Sequence, residues 1–196
     1  NNYKCLSDVP KGGVIGTSSL RRESQIRNQF AGLNVRPLRG NIQTRLRKLD
    51  EGQFDGIILA AAGLERLGLR ERIIQYLSVD ISIPSVGQGA LGIECLDTRQ
   101  DIINLLRGLD HEPTRICVEG ERSVSRLLGG SCTSPLGAYA RISDNQLEMS
   151  AFVAVPNGST CLRVVGRDEI NKIGAMRLSQ KLVNELSALG ARTLLD

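Results

Sequence analysis

The 196-residue sequence contains no tryptophan, and aromatic residues make up only 3% of it. The hydrophobic core must therefore be built mainly from aliphatic side chains. The longest apolar stretch, "GIILAAAGL", is too short to cross a bilayer. The first residues, "NNYKCLSDVPKGG", lack the apolar centre of a signal peptide. We therefore expect a cytoplasmic protein with no membrane partner.

Histidine is nearly absent, and the cysteines are scattered. The chain has one histidine, His111, and five cysteines without the close spacing of metal knuckles or redox pairs. We therefore predict no metal site, and the odd number of cysteines favours a reducing compartment over a disulfide framework. A catalytic pair of Cys132 and His111 would require the fold to bring two distant residues together.

Negative charge is scarce in the first quarter of the chain. Residues 1–50 carry 10 Lys and Arg against 3 Asp and Glu, although the net charge of the whole chain is only +4. A solvated basic face is one explanation. A nucleic-acid site is another, but this segment has only Tyr3 and Phe30 for stacking, and no zinc-finger or helix-turn-helix pattern is present. We expect no nucleic-acid partner.

Strand and helix patterns alternate after residue 13. A short buried strand in "GGVIGTSS" precedes a helix in "SLRRESQIRNQFAG" that Ser18 or Ser19 can cap. A second strand in "NVRPLRG" contains Pro37, which favours an edge position. A second helix, "NIQTRLRKLDEG", precedes a third strand in "FDGIILAAAG", whose apolar run predicts burial on both faces. This alternation predicts a parallel sheet with helical crossovers.

The remainder of the chain has a different pattern. Glycines between short apolar runs in "VDISIPSVGQGALGIEC" predict a crossover between domains, with a strand from Ala90 to Cys95 and a helix near 98–109. A helix from Pro113, three alternating segments and a final helix then predict a small α+β domain. We expect three parts: an α/β lobe with a mainly parallel sheet, a crossover, and an α+β domain with a three-stranded antiparallel sheet, over 1–86, 87–111 and 112–196.

Arginines and hydroxyls collect where the first two strands end. Ligands of open parallel sheets bind beyond the carboxyl ends of the strands, and free amides at helix N-termini favour anions there. The predicted ligand carries several negative groups, and the pattern leaves carboxylates and phosphates both open. The candidate residues at this edge are Thr17, Ser18, Ser19, Arg21, Arg22, Arg39, Gly40 and Arg45.

Cys132 lies in "GGSCTSPLGAYA", a turn with two glycines before the cysteine and a proline after it. A cysteine that serves packing belongs on an apolar face, whereas loops tend to carry function. We therefore treat Cys132 as a candidate functional thiol.

Four motifs occur in order: "VIGTSSLRR", "RPLRGNIQTRLRKLDEGQFDGIILAAAGLERLGL", "PSVGQGALGIEC" and "GGSCTSPLGAYA". Together they resemble the porphobilinogen deaminase (hydroxymethylbilane synthase) family over nearly the whole chain. The resemblance implies a three-domain fold in which two domains are like the halves of a periplasmic binding protein and the third carries a cysteine loop. It also implies a transferase of tetrapyrrole and haem biosynthesis that acts as a monomer when full length.

By this resemblance, Cys132 anchors one covalent dipyrromethane cofactor per chain. The family joins four porphobilinogen units head to tail with loss of ammonia, and hydrolysis then releases hydroxymethylbilane. The implied partners are porphobilinogen and the growing polypyrrole chain, whose carboxylates the arginines would bind. Cofactor contacts fall on Thr17, Ser19, Arg21, Arg22, Arg39 and Gly40, and substrate contacts on Arg22, Arg39, Arg45 and Arg66. Gln88 falls in a segment where domains meet.

One family feature is absent from these 196 residues. The family's catalytic aspartate lies in an "H-S-x-K-D-x-P" stretch, and "LSDVP" at 6–10 is far too close to "GTSSLRR" to match it. We therefore name no catalytic residue, and Asp50 and Asp55 are better explained as helix-end and turn residues. We expect that most of the first domain is not part of this chain, that the strand at 90–95 lacks its partners, and that activity requires the N-terminal segment as a partner.

Two other functions remain open from the sequence. A non-catalytic anion-binding module explains the arginines but leaves Cys132 without a role. A basic RNA-binding domain explains only the charge.

Overall fold

A three-stranded parallel sheet forms the first part of the protein. The computed structural model describes residues 3–130 and 134–195. The order β2-β1-β3 places β1 (Val14–Gly16) between β2 (Asn34–Arg36) and β3 (Gly56–Ile57). Both pairings are parallel, as predicted, and β2 is an edge strand.

Helices follow each strand of this sheet. They are α1 (Leu20–Gln29), α2 (Ile42–Asp50) and α3 (Ala61–Arg66). Ser19 caps α1 by accepting from the Arg22 N–H, and Asn41 caps α2 by accepting from the Thr44 N–H. These caps satisfy backbone donors that a helix leaves unpaired at its start.

The third strand departs from the prediction. β3 has only two paired residues and is an edge of the sheet, and Ile57, Ile58 and Leu59 are half-buried rather than covered on both faces. The apolar run does not pack as a central strand because β3 pairs only with β1, and its other side faces a cavity.

A separate antiparallel sheet forms the second part of the protein. Its strands are β4 (Leu136–Ser143), β5 (Gln146–Ala154) and β6 (Cys161–Asp168), with β5 in the centre. The turn between β4 and β5 uses Asp144 and Asn145, both at positive φ, which suits a tight hairpin. The three predicted antiparallel strands are confirmed, although burial alternates only along part of them.

Two long helices cover one face of this sheet. α5 (Glu112–Leu128) and α6 (Lys172–Ala188) pack on each other and on the strands, and the short α7 (Ala191–Leu195) follows. The core is aliphatic, as expected, with fully buried Leu147, Met149, Leu178 and Leu182. At about 25 cal/mol per Å² of apolar surface removed from water, this core is the main source of stability of the second part.

The crossover contains no strand, so the predicted strand from Ala90 to Cys95 is wrong. The chain there is irregular and exposed, with Leu91 79% and Ile93 60% exposed. A strand needs a neighbouring backbone to satisfy its amides, and no described residue offers one to this segment. The predicted helix is present as α4 (Gln100–Leu106), extended by a 3₁₀ turn at Arg107–Leu109.

Helix α1 connects the two parts. It packs against β5 and β6, and Asn28 of α1 donates to the carbonyl of Gly158 with an N–O distance of 3.0 Å. Within the described ranges, no helix combines the length and the apolar character needed to cross a membrane.

Candidate anion-binding site

The hydroxyls at the end of β1 order the turn into α1. Thr17 is buried, and its Oγ1 accepts from the Ser19 N–H at 3.2 Å. Ser18 Oγ both donates to the Leu38 carbonyl and accepts from the Leu38 N–H, each at 2.9 Å. The Ser18 hydroxyl therefore joins the turns after β1 and β2, whereas Thr17 and Ser19 lie at the first turn of α1.

Arg21 is a buried arginine, and no carboxylate of residues 3–130 or 134–195 pairs with it. Its side chain is 8% exposed, and its guanidinium donates to the Ile83 carbonyl at 2.5 Å and to Gln88 Oε1 at 3.1 Å. Burial, and secondarily the charge of Arg22, lowers the pKa of Arg21 to about 10. The charged Arg21 guanidinium is therefore less stable in the folded protein than it would be in water.

Arg22 and Arg45 form a second pair of neighbouring cations. The guanidinium of Arg22 donates to the Ile58 carbonyl at 3.1 Å, and that of Arg45 donates to the Gly40 carbonyl at 2.7 Å. Burial lowers the pKa of Arg22, and the charge of Arg45 lowers it further. Gly40, whose carbonyl accepts from Arg45, is at φ +117°, a conformation that favours glycine.

Arg39 and Arg66 lie on the protein surface. Both are exposed, and within the described residues neither guanidinium has a hydrogen-bond or ion-pair partner. Arg39 follows β2, and Arg66 ends α3.

Two adjoining cavities meet at Arg22. The first, about 420 Å³, is mostly apolar and lies between β3 and the segment 73–79, with Arg21 and Gln88 in its wall. The second, about 500 Å³, is lined by Gly40, Asn41 and Arg45 at the start of α2. Arg22, Leu59 and Ala60 line both, so Arg22 stands where the apolar and polar spaces join.

The arginines of this site differ from most others in their partners. Across the described ranges, Arg21, Arg22, Arg39, Arg45 and Arg66 form no ion pair. Eight other arginines do form ion pairs with carboxylates: Arg27, Arg47, Arg72, Arg99, Arg115, Arg141, Arg167 and Arg177. Seven further arginines also lack an ion pair among the described residues, so what sets Arg21, Arg22 and Arg45 apart is that they line two adjoining cavities, an arrangement suited to an anionic ligand.

The two aspartates set aside as structural are engaged elsewhere. Asp50 pairs with Arg72 at 2.5 Å, and Asp55 accepts from the Val14 N–H at 2.7 Å. Their partners agree with helix-end and turn roles.

Cys132 lies outside the described residues, but both neighbouring elements are described. α5 ends at Leu128 and is followed by Gly129 at φ +69°, and β4 begins at Leu136. A Cβ on Gly137 would lie 2.4 Å from the Pro84 carbonyl oxygen and 3.3 Å from Arg21 Cδ. The start of β4 therefore lies against the arginine cluster.

The other cysteines occupy varied environments. Cys117 is buried, and burial raises the pKa of its thiol and, likewise, that of half-buried Cys161. Cys95 is exposed, contrary to its predicted place in a strand. Cys5 is half-buried, with its sulfur 3.0 Å from Ser7 Oγ.

Gln25 was not singled out from the sequence, and Gln88 was assigned there only to a segment where domains meet. Both bond to the arginine cluster: Gln88 accepts from Arg21, and Gln25 donates to the Arg21 carbonyl. No local pattern signals these contacts, since Ile83 and Gln88 are 62 and 67 residues from Arg21.

Comparison with protein families defines the class of the chain. Residues 1–104 match the model described as "Porphobilinogen deaminase, dipyromethane cofactor binding domain", and residues 115–188 match "Porphobilinogen deaminase, C-terminal domain". The chain belongs to the porphobilinogen deaminase family.

Individual relatives agree with this assignment. The chain is 50% identical over 197 residues to a porphobilinogen deaminase of Nitrosomonas europaea and 53% identical over 196 residues to that of Thiobacillus denitrificans. A porphobilinogen deaminase of Chromobacterium violaceum is 50% identical over 195 residues. All three alignments cover 100% of this chain but only 62–63% of the relative, so the chain spans less than two thirds of their length.

Proposed function

We propose that this chain provides the arginine-bearing lobe and the cofactor-anchoring domain of a cytoplasmic porphobilinogen deaminase. The lobe, 1–86, would correspond to one half of a periplasmic-binding-protein-like pair, 87–111 to the crossover, and 112–196 to the anchoring domain. The proposed activity is the stepwise condensation of four porphobilinogens with loss of ammonia, followed by hydrolysis to hydroxymethylbilane.

The observation that carries this proposal is the cluster of unpaired arginines at the sheet edge. Arg21 and Arg22 line a mostly apolar cavity and form no ion pair with any described carboxylate; Asp55 also lines this cavity, but it accepts from the Val14 N–H. Each porphobilinogen carries an acetate and a propionate group, so a polypyrrole presents both an apolar ring and paired carboxylates. An apolar cavity with a cationic wall fits that combination.

The residues also fit a covalent dipyrromethane group. Cys132 precedes Gly137 by five residues, and a chain advances by at most about 3.6 Å per residue, which limits the distance between the two Cα atoms to about 18 Å. Gly137 itself approaches Arg21. When bound to Cys132, dipyrromethane supplies the free pyrrole carbon to which the first porphobilinogen is joined.

The proposed task of this chain's own residues is to hold carboxylates. The N–H groups of Arg22 and Arg45 that are not used for the Ile58 and Gly40 carbonyls have no other partner in the described part of the chain and can make bidentate contacts. Exposed Arg39 and Arg66 would bind carboxylates further along the growing chain. Fixing each ring in this way lowers the entropic cost of bringing two rings together.

Binding by the 196-residue chain tests the anion-site part of the proposal. Arg22→Gln should weaken the binding of porphobilinogen by about tenfold, because a hydrogen bond to a charged group typically contributes that much to affinity. Titration calorimetry measures this change. Arg47→Gln is the matched control because Arg47 lies on α2 with Arg45 but pairs with Glu51. Equal affinities of Arg22→Gln and Arg47→Gln would refute the assignment.

Turnover tests the catalytic part. We expect no turnover from residues 1–196 alone, since the positive charge that develops on a reacting pyrrole needs a fixed carboxylate. Adding the N-terminal segment of a relative as a separate polypeptide should restore turnover. Full-length rates from the chain alone would show that the catalytic acid lies within it. Steeply salt-dependent RNA binding without affinity for porphobilinogen would favour the RNA-binding alternative.

A further inference from the structure

Gln25 is fully buried on α1, one turn after Arg21, at 0% exposure. Its amide nitrogen donates to the carbonyl oxygens of Arg21 and Ile83, at 3.0 and 3.1 Å. Its amide oxygen accepts from the Ile83 N–H at 2.8 Å and from the Arg163 guanidinium at 3.1 Å. Both donors and both acceptor positions of the amide are therefore used.

These bonds hold the backbone of the segment 79–83. Gln25 bonds both the N–H and the carbonyl of Ile83, as a neighbouring strand would. Arg163 of β6 donates to the carbonyls of Val79 and Asp80. The segment is thus held between α1 and the antiparallel sheet by side chains rather than by strand pairing.

Arg21 depends on the same segment for its position. The Ile83 carbonyl that Gln25 holds also accepts from the Arg21 guanidinium, and Gln88, five residues later, accepts from it again. Two of the five guanidinium N–H groups are used in this way, which leaves three for a ligand. Arg21 lines the apolar cavity together with Gln88.

We propose that Gln25 is a positioning residue for the binding of polypyrrole carboxylates. By holding Ile83, it fixes the guanidinium of Arg21 before the ligand arrives, so binding does not bear the cost of ordering that side chain. This inference rests on the proposed anion-binding function. Ordering one long side chain on binding corresponds to about a three- to tenfold change in affinity, which is the loss expected when Gln25 is removed.

Gln29 offers a matched control on the same helix. Its amide nitrogen donates to the carbonyls of Asp80 and Ile81, so it contacts the same segment, but it is exposed and has no bond to Ile83 or Arg21. Gln25→Met and Gln29→Met are therefore the same chemical change on one helix, and only the first releases Ile83.

The test is a double-mutant cycle with porphobilinogen as the probe, measured by titration calorimetry on the 196-residue chain. Gln25→Met should lower affinity three- to tenfold, and Gln29→Met should leave it unchanged. In an Arg21→Met background, Gln25→Met should cause no further loss, because a residue that acts through Arg21 has nothing left to position. A merely structural role would instead reduce binding equally in both backgrounds, which would overturn the proposal.

Gln25→Glu is a second variant in case Gln25→Met does not fold. It keeps the acceptors for the Ile83 N–H and Arg163 but removes the donors to the Arg21 and Ile83 carbonyls. Affinity should again fall when Arg21 is present and should not fall further in the Arg21→Met variant. Arg22→Gln distinguishes failure of the proposed anion-binding function from failure of the positioning role of Gln25. Unchanged affinity in Arg22→Gln refutes the proposed function, whereas loss there without loss in either Gln25 variant refutes the positioning role alone.

Discussion

Replacing Arg21 by methionine should stabilise the protein while weakening its ligand binding. Burial lowers the pKa of Arg21 to about 10, so the fold disfavours the charged guanidinium relative to water. At about 1.4 kcal/mol per pKa unit, the lowering corresponds to about 3 kcal/mol. Methionine has a similar length and no charge to bury.

The hydrogen bonds lost with the guanidinium offset part of this gain. Two bonds at about 1 kcal/mol each amount to about 2 kcal/mol. Neither acceptor is left unpaired, because the Ile83 carbonyl keeps the Gln25 amide and Gln88 Oε1 keeps the Ser85 hydroxyl. The net expectation is a gain of about 1 kcal/mol, or a rise in Tm of about 2–4 °C for a chain of this size.

Urea unfolding provides the assay, with Arg163→Met as the comparison. Arg163 donates to Val79, Asp80 and Gln25, and the Val79 carbonyl has no second donor among the described side chains and backbone amides. Arg163→Met should therefore lower the free energy of unfolding by about 1–3 kcal/mol.

The cost of burying the charged Arg21 guanidinium should not depend on pH in the ordinary range. Because the pKa is lowered, this cost is present at every pH below about 10 and disappears only above it. The advantage of Arg21→Met should therefore stay constant between about pH 5 and pH 9. If Arg21→Met instead lowers the free energy of unfolding by more than about 1 kcal/mol, with the same dependence on urea concentration, Arg21 stabilises the fold and the expectation is refuted.

Three further expectations follow from other sites. Arg39→Lys, in a full-length protein, should greatly reduce turnover with a Tm change within about 2 °C, because Arg39 is exposed and lysine lacks the bidentate fork; unfolding with turnover spared would make Arg39 structural. Gly137→Ala should cost about 1–3 kcal/mol by urea titration, since its Cβ would overlap the Pro84 carbonyl, and an unchanged midpoint would contradict this contact. Burial raises the pKa of Glu121, so its contribution to stability should fall as pH rises from 4.5 through the raised value, and Glu121→Gln should remove that slope. Parallel pH profiles of wild type and Glu121→Gln would contradict it.

Local chemistry made much of the fold predictable from the sequence. The caps at Ser19 and Asn41 are set by residues within three positions of them, and the hairpin between β4 and β5 is set by the turn residues Asp144 and Asn145. The failures at β3 and at 90–95 have another origin. Apolar residues there match a strand pattern, but pairing depends on a neighbouring backbone that a local pattern does not specify.

The location of the candidate site was predictable from the sequence, but the hydrogen-bond partners of its side chains were not. Placing arginines at strand ends requires only the βα alternation, and the structure brings Arg22 and Arg45 together around one cavity. The engagement of Arg21 with Ile83 and Gln88, and the burial of Gln25, depend on contacts made across 58 to 67 residues of sequence. These contacts join α1 to the segment 83–88, and no local pattern encodes that association.

Mass mapping of the cofactor tests the central claim most directly. In a full-length protein that contains this chain, cleavage after arginine and lysine releases residues 127–141 as a peptide in which Cys132 is the only cysteine. We expect a dipyrromethane adduct on this peptide and on none that contains Cys5, Cys95, Cys117 or Cys161. An adduct on any of those four, or an unmodified Cys132 in protein that turns over porphobilinogen, would contradict it.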